Sequence, residues 1–380
     1  MNIGLLGCGV VGGGVLALTQ DRSDIRVTRV LVRHPKEGLP EGAATCDVQD
    51  ILNDAAIDTV VEVMGGVHPA YEYVAAAMER GKHVVTANKA LIAAYYRELT
   101  ALAREKGVAL RYTAAVGGGI PWLVNLARCK RLDTVCAVGG IMNGTTNFIM
   151  DAMHKSPVDF PVILKEAQEL GYAEADPSAD IDGDDIRRKL CISANIAFDT
   201  VLDEETIPTF GIRTVTAADI AAFQAHGFVC KLLAAAERTD RGVCAYVEPT
   251  LVDCGEPEAA VPANYNLIGY VGEQVGRQSF FGQGAGRFPT ASNVVQDCLT
   301  ILAGDRAAYT DRVAPVALDL TAEAHPYYVR TGRPDAFLRS VAADTWGAGV
   351  VTGAVNTGEM LAWAKRQLSA DPACFIAGIR

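Results

Sequence analysis

The sequence predicts an α/β protein: a doubly wound parallel sheet at the N-terminus, an α+β domain in the middle and a small α/β tail. Three observations predict it. Strand-like and helix-like stretches alternate through the first 126 residues or so. A run of longer strand-like segments follows it. A last stretch of short, mixed elements closes the chain.

The 380 residues are half hydrophobic and 21% charged, enough to bury sizeable cores in two or three domains. The formal net charge is −11. That disfavours nucleic acid as a partner, because phosphate neutralisation needs a basic patch and none is visible. No run of about 18 apolar residues exists, so no membrane span is expected. Met1 and Asn2 lead straight into "IGLLGCG", without the basic leader and apolar core of a signal peptide. The ten cysteines are scattered singly, with no C-x-x-C pair. A reducing cytoplasm, no disulfide frame and no zinc site follow as expectations.

In chain order, "NIGLLG" reads as a buried strand, "VLALTQ" lies on the next helix, and "IRVTRVLVR" is a second strand. "DTVVEVM" is a third and "KHVVTA" a fourth, with the helix "PAYEYVAAAMERG" between them. Such alternation implies parallel pairing. "DTVCAVGGIMNGTTNFI" reads as a strand entering a glycine turn. Helices follow around residues 161–170 and 184–198, then strands in "CAYVEPTLVD" and "YNLIGYVGE". "RQSFFGQGAGRFPTASNVVQDCLTIL" reads as strand, glycine turn and helix. The tail segments "HPYYVRTG", "AFLRSVAAD", "GAGVVTGAV", "GEMLAWAKRQLSA" and "CFIAGIR" fit a β-α-β-α-β unit. The expected domains are 1–126 for the doubly wound sheet, rejoined by a helix near 288–310, then 127–287, then 311–380.

"GCGVVGGGV" places Gly7, Gly9 and Gly12 in G-x-G-x-x-G spacing between the first strand and the first helix. The first glycine permits the tight turn. The second lets backbone approach a pyrophosphate seated on the helix N-terminus, near Val10 and Val11. The third permits close helix–strand packing. This is the Rossmann-type dinucleotide signature, and it makes the N-terminal sheet a candidate NAD(P) domain. An acid usually ends the second strand and holds the ribose. Here Arg33 stands about there, with His34 and Lys36 nearby, which suits a 2′-phosphate and favours NADP over NAD.

Over roughly residues 1–310 the chain resembles homoserine dehydrogenases. The resemblance is carried by "TANKALIA", "AAVGGGIP", "GIMNGTTNFI", "ELGYAEADPSADIDGDDIRRKL" and "GQGAGRFPTASNVVQD", in family order. It implies interconversion of L-homoserine and L-aspartate 4-semialdehyde with NAD(P), a step toward threonine and methionine. The middle domain would then bind substrate and dimerise, giving a homodimer or homotetramer.

On the residues alone, the acid-rich run reads as capping acids and an exposed ion pair. Asp182 would N-cap a helix, Asp185 would sit at its third position, and Asp185–Lys189 would be an i,i+4 pair. The resemblance implies more. Lys189 would handle the proton of the homoserine hydroxyl, with Asp185 orienting it. Glu174 and Asp180 would bind the substrate ammonium. Lys89 would be a second catalytic lysine in a turn that also meets the cofactor through Thr86 and Asn88. Tyr172, Gly144 and Thr145 would touch substrate, and Gly171, Gly284 and Gly286 would lie against the cofactor. Asp176 and Asp184 stay solvated acids.

The family also binds a monovalent cation through backbone carbonyls, here those of Val116, Gly118 and Ile120, and a glutamate. Thr113 stands where that glutamate would be. A hydroxyl is a weaker ligand for a hard cation than a carboxylate, so weak cation dependence is expected. Many relatives carry a βαββαβ ACT-type unit that binds an amino-acid effector. The tail resembles one that lacks a strand, and an oligomer-forming appendage is the other reading. Two other readings stay open: an oxidoreductase for a related amino alcohol, and a catalytically dead sensor of NADP and amino acids. Retention of Lys89, Lys189, Asp185 and Glu174 argues against the second.

Overall fold

Strand β1, Asn2–Leu6, is buried after its first residue, as a strand covered on both faces must be. The computed structural model describes residues 1–34, 38–310 and 314–380. The later strands of the first sheet are β2 (Arg26–Leu31), β3 (Ala44–Thr45), β4 (Thr59–Glu62), β5 (His83–Thr86) and β6 (Leu110–Arg111). They lie in the order β3-β2-β1-β4-β5-β6, with every pair parallel. This is the order of the dinucleotide-binding doubly wound sheet, and its switch point lies between β1 and β4. β3 and β6 have two residues each, too few to show a pattern, and the sequence did not reveal them.

The helix Arg287–Leu302 packs on the helix Val10–Thr19. Its Ala291, Val294, Cys298 and Ile301 share one core with Ile3, Leu5, Val15 and Val61. Gly14 makes this possible, since a Cβ there would lie 2.7 Å from the Arg287 carbonyl oxygen. Residues Met1–Leu132, Asp199–Val201 and Gly282–Ala314 form this first unit.

The second unit comprises Asp133–Phe198, Leu202–Phe281 and Pro315–Arg380. Its frame is a nine-stranded sheet. In spatial order the strands are Gly276–Gln283, Tyr265–Gly272, Val135–Ile141, Phe228–Thr239, Gly242–Asp253, Phe375–Ile379, Tyr327–Arg330, Gly349–Thr352 and Ala342–Trp346. The helix Asp184–Phe198 packs on the strands Val135–Ile141 and Phe228–Thr239.

Two expectations need correction. "NGTTNFI" is not an extended turn but opens a twelve-residue helix, Gly144–Lys155, capped by the Asn143 side chain. Its polar, β-branched start disguises it. The tail is not β-α-β-α-β. The strand Ala342–Trp346 completes the order βαββαβ, with the tail's strands lying fourth, first, third, second, as in a ferredoxin-like unit. That strand is exposed along four of five residues and starts directly at a helix end, so neither alternation nor a turn marked it. The last strand pairs in parallel with Gly242–Asp253, through Thr250–Gly378 and Leu251–Ile379.

Among the described residues no helix is long and apolar enough to cross a membrane. All ten cysteines lie among the described residues, and none of them forms a disulfide there.

Candidate active site

In the first unit, β1 ends at Gly7, whose φ of +97° turns the chain. Gly9 precedes the helix Val10–Thr19 and has open space where a Cβ would point. Gly12 has none, because a Cβ would meet the Gly7 carbonyl oxygen. The three glycines thus divide into turn, approach and packing roles. Val10 is left 68% exposed and Val11 is half-buried. From this turn a cavity of about 1190 Å³ opens, lined by Cys8, Gly9, Val10, Arg26 and Arg287 among others. Arg287, which no sequence motif marks, donates to the Gly13 carbonyl at 3.1 Å. Gly286, with φ +127°, precedes its helix, and the Gly284 carbonyl packs over Gly118. Arg33 and His34 are exposed beyond β2, and Lys36 lies outside the described residues.

At the ends of β4 and β5, a buried carboxylate organises two loops. Glu62 accepts from the backbone N–H of Met64 at 2.7 Å and from the Thr86 hydroxyl at 2.5 Å. Burial pushes its pKa up, against those hydrogen bonds. Asn88 caps the helix Lys89–Ala94 by accepting from Leu91 N, and donates to the Gly66 carbonyl at 2.6 Å. The Thr86 and Asn88 side chains therefore brace the loops, and Lys89 stands half-buried at the first position of its helix. Glu62 was a carboxylate inside an apolar strand, a signal available in "DTVVEVM" but not used.

In the second unit the acid-rich run does not form an exposed pair. Lys189 and Asp185 are 7% and 5% exposed, with Lys189 Nζ 2.7 Å from Asp185 Oδ2. The same ammonium donates to the Met142 carbonyl at 2.7 Å. Asn143, missed in the sequence, links the acids: its Nδ2 donates to Asp185 Oδ2 at 2.8 Å and to Asp180 Oδ1 at 2.7 Å. Its Oδ1 accepts from Thr146 N and so caps the helix Gly144–Lys155. Asp180 is half-buried. Desolvation first, and the neighbouring Asp185 charge second, raise its pKa.

Asp182 does not N-cap the long helix. It ends the short helix Ser178–Ile181 and pairs with Arg213 at 2.6 Å. Gly183 precedes the long helix instead, at φ +94° and with no room for a Cβ beside the Thr209 methyl. Asp176 is exposed as expected and accepts from the Ser178 backbone N–H and hydroxyl, whereas Asp184 is half-buried and pairs with Arg187.

The remaining predicted residues divide. Gly144 starts its helix against Asn264, whose carbonyl oxygen would lie 2.6 Å from a Cβ. The Thr145 hydroxyl donates to the Tyr172 carbonyl at 2.6 Å, fixing the Gly171–Tyr172 turn to the helix. Gly171, at φ +76°, terminates the helix Phe160–Glu169. Tyr172 is 39% exposed and sets its ring edge on Phe148. Glu174 is exposed rather than buried.

Comparison with known proteins bears on both units. The family model described as homoserine dehydrogenase matches residues 121–299, and the homoserine dehydrogenase NAD binding domain matches residues 7–113. The chain is 38% identical over 323 residues to the homoserine dehydrogenase of Bacillus subtilis, spanning 82% of this chain and 75% of the relative. It is 42% identical over 317 residues to that of Synechocystis, spanning 80% and 73%. A solved homoserine dehydrogenase from Thiobacillus denitrificans superposes with a TM-score of 0.89 at 33% identity, covering 100% of this chain and 98% of that one. One from S. aureus gives 0.79 at 30%, with the same coverage.

Proposed function

The chain belongs to the homoserine dehydrogenase family, and from that premise we propose that Lys189 carries the reaction's proton and that NADP is its preferred cofactor. The activity is the NAD(P)-dependent interconversion of L-homoserine and L-aspartate 4-semialdehyde. Hydride transfer between the carbinol carbon and nicotinamide C4 is the chemistry the cofactor supplies when bound.

The observation that carries the proton assignment is the hydrogen-bonded group of half-buried Asp180 with buried Asn143, Asp185 and Lys189. An ammonium has three donors. Two of Lys189's meet Met142 O and Asp185, and the third suits a substrate oxygen. In the reductive direction, the aldehyde carbon gains the hydride and its oxygen takes a proton from Lys189. In the oxidative direction the hydroxyl proton returns to Lys189 as hydride leaves. Asp185, held by Asn143, keeps the lysine in place. Asp180 and Glu174 receive the substrate ammonium, a match of carboxylate to cation. Tyr172, Gly144 and Thr145 contact the substrate. Lys89, at the start of its helix, is the second catalytic lysine.

For the cofactor, the glycine turn with Val10 and Val11, the Thr86–Asn88 loop, Gly171, and the turn of Gly284 and Gly286 are the contacts. NADP preference is supported by exposed Arg33 and His34 where an acid would otherwise hold the ribose. A homodimer or homotetramer is supported by exposed apolar Val271 and Phe281 on the second unit's strands. A cytoplasmic location is supported by ten singly scattered cysteines with no C-x-x-C pair. An amino-acid effector is supported by the completed βαββαβ order of the tail.

The test is absorbance at the reduced-nicotinamide band with homoserine, run with NADP and with NAD. The expected kcat/KM is higher with NADP, and Arg33→Ala should raise KM for NADP far more than for NAD. Equal effects on both cofactors would overturn the preference. No turnover with either would overturn the catalytic assignment.

A further inference from the structure

The buried loop of residues 116–120 turns the carbonyls of Gly118 and Ile120 toward one point on the helix Arg287–Leu302. These are carbonyls expected to bind a monovalent cation by family resemblance. We propose that this protein does without that cation, because the side-chain amide of Asn293 stands in its place as a built-in donor.

The geometry is specific. Asn293 is 6% exposed, and its Nδ2 donates to Gly118 O at 2.6 Å and to Ile120 O at 3.0 Å. An amide NH₂ has two N–H donors, so these two carbonyls engage both. Ile120 O also accepts from the Trp122 backbone N–H at 2.7 Å. Both lone pairs of that oxygen are therefore engaged, and none is left to a cation.

The nearby carboxylate is also engaged. Asp297, one turn along from Asn293 on the same helix, accepts from Thr113 N at 2.9 Å and from Thr113 Oγ1 at 2.6 Å. The Tyr309 hydroxyl lies 2.5 Å from Thr113 Oγ1. Thr113, Asp297 and Tyr309 thus form a closed, fully buried network where a glutamate ligand would be expected.

Nor can the loop easily open to make room. A Cβ on Gly118 would collide with the Gly284 carbonyl, and one on Gly119 would lie 2.7 Å from Pro289 Cβ. The Gly119 N–H donates to the Gln283 carbonyl at 3.1 Å. The loop is clamped to the glycine turn and helix on which Asn293 sits. A cation would order converging carbonyl dipoles with its charge. Asn293 orders them with two hydrogen bonds that no change of salt removes.

The test reads folding stability, so its outcome is separate from the assignment of the proton to Lys189. The full-length protein is melted at constant ionic strength in potassium, sodium and tetramethylammonium chloride, with each of the first two titrated into the third. Equal melting temperatures across the series are expected. A saturable rise specific to potassium or sodium would overturn the proposal. Asn293→Asp keeps the shape but turns donor into acceptor and sets a carboxylate against two carbonyls. Its melting temperature in tetramethylammonium should fall, by on the order of 5 °C, and recover saturably with sodium or potassium. An Asn293→Asp protein as stable as the wild type in all three salts would show that the amide does not hold the loop, and would also overturn it.

Discussion

Asn143 serves two structures with one side chain. Its oxygen caps a helix, and its nitrogen holds Asp180 and Asp185 on either side of it. The two carboxylates differ in surroundings. Asp185 faces Lys189 and is buried, whereas Asp180 is half-buried, and its pKa is raised first by burial and then by the Asp185 charge, which a facing cation would offset. A substrate ammonium would supply that cation. Asp180→Asn should therefore raise KM for homoserine about tenfold or more, since a charge-assisted hydrogen bond is worth roughly 1.5–3 kcal/mol. Glu174→Gln should raise it less, because Glu174 is exposed and water screens it. Steady-state kinetics of both variants checks this, and unchanged KM values would remove the two acids from the ammonium site. The i,i+4 spacing of Asp185 and Lys189 was legible in the sequence. Their burial was not, because it depends on Met142 and Asn143, 47 and 42 residues away from their respective partners.

At the scale of elements, the helix Gly144–Lys155 begins where sequence showed only a glycine turn. Thr145, Thr146 and Asn147 are poor helix formers, and the helix persists because Asn143 caps it and its Ile149, Met150 and Met153 are buried. Asn143→Ala should cost about 1 kcal/mol for the cap and also lower kcat, since Asp185 loses a partner. Asn143→Asp should keep the cap but place a third carboxylate between two others, so kcat falls with less loss of the cap's stability. Thermal melts and kcat for the pair separate the two roles. An Asn143→Ala enzyme with unchanged melting temperature and kcat would contradict both. The first sheet shows the opposite case: β1, β2, β4 and β5 announced themselves as apolar runs, while two-residue β3 and β6 exist only through their neighbours.

For the whole molecule, the tail is built into the second unit's sheet and not hung from it. Its last strand pairs with Gly242–Asp253. Beneath that junction Glu248, fully buried, meets His325 at 2.9 Å and the Tyr327 hydroxyl at 3.1 Å. An amino acid bound by the tail would act on a strand of the same sheet. Thermal shifts and activity with threonine, methionine, isoleucine and lysine test this, with a response to at least one expected. Silence toward all four would mark the tail as purely structural. The tail's ACT-like order was half legible: five elements carried apolar patterns, and the sixth, Ala342–Trp346, is an exposed edge strand without one.

If the buried Lys189 moves the hydroxyl proton, kcat of Lys189→Met must show it. The substitution keeps the length and removes the proton, and a thermal melt establishes that the variant is folded. kcat should fall about 10²–10⁴-fold, the range of general acid–base catalysis, with NADP affinity little changed. A folded Lys189→Met enzyme with near wild-type kcat would contradict it.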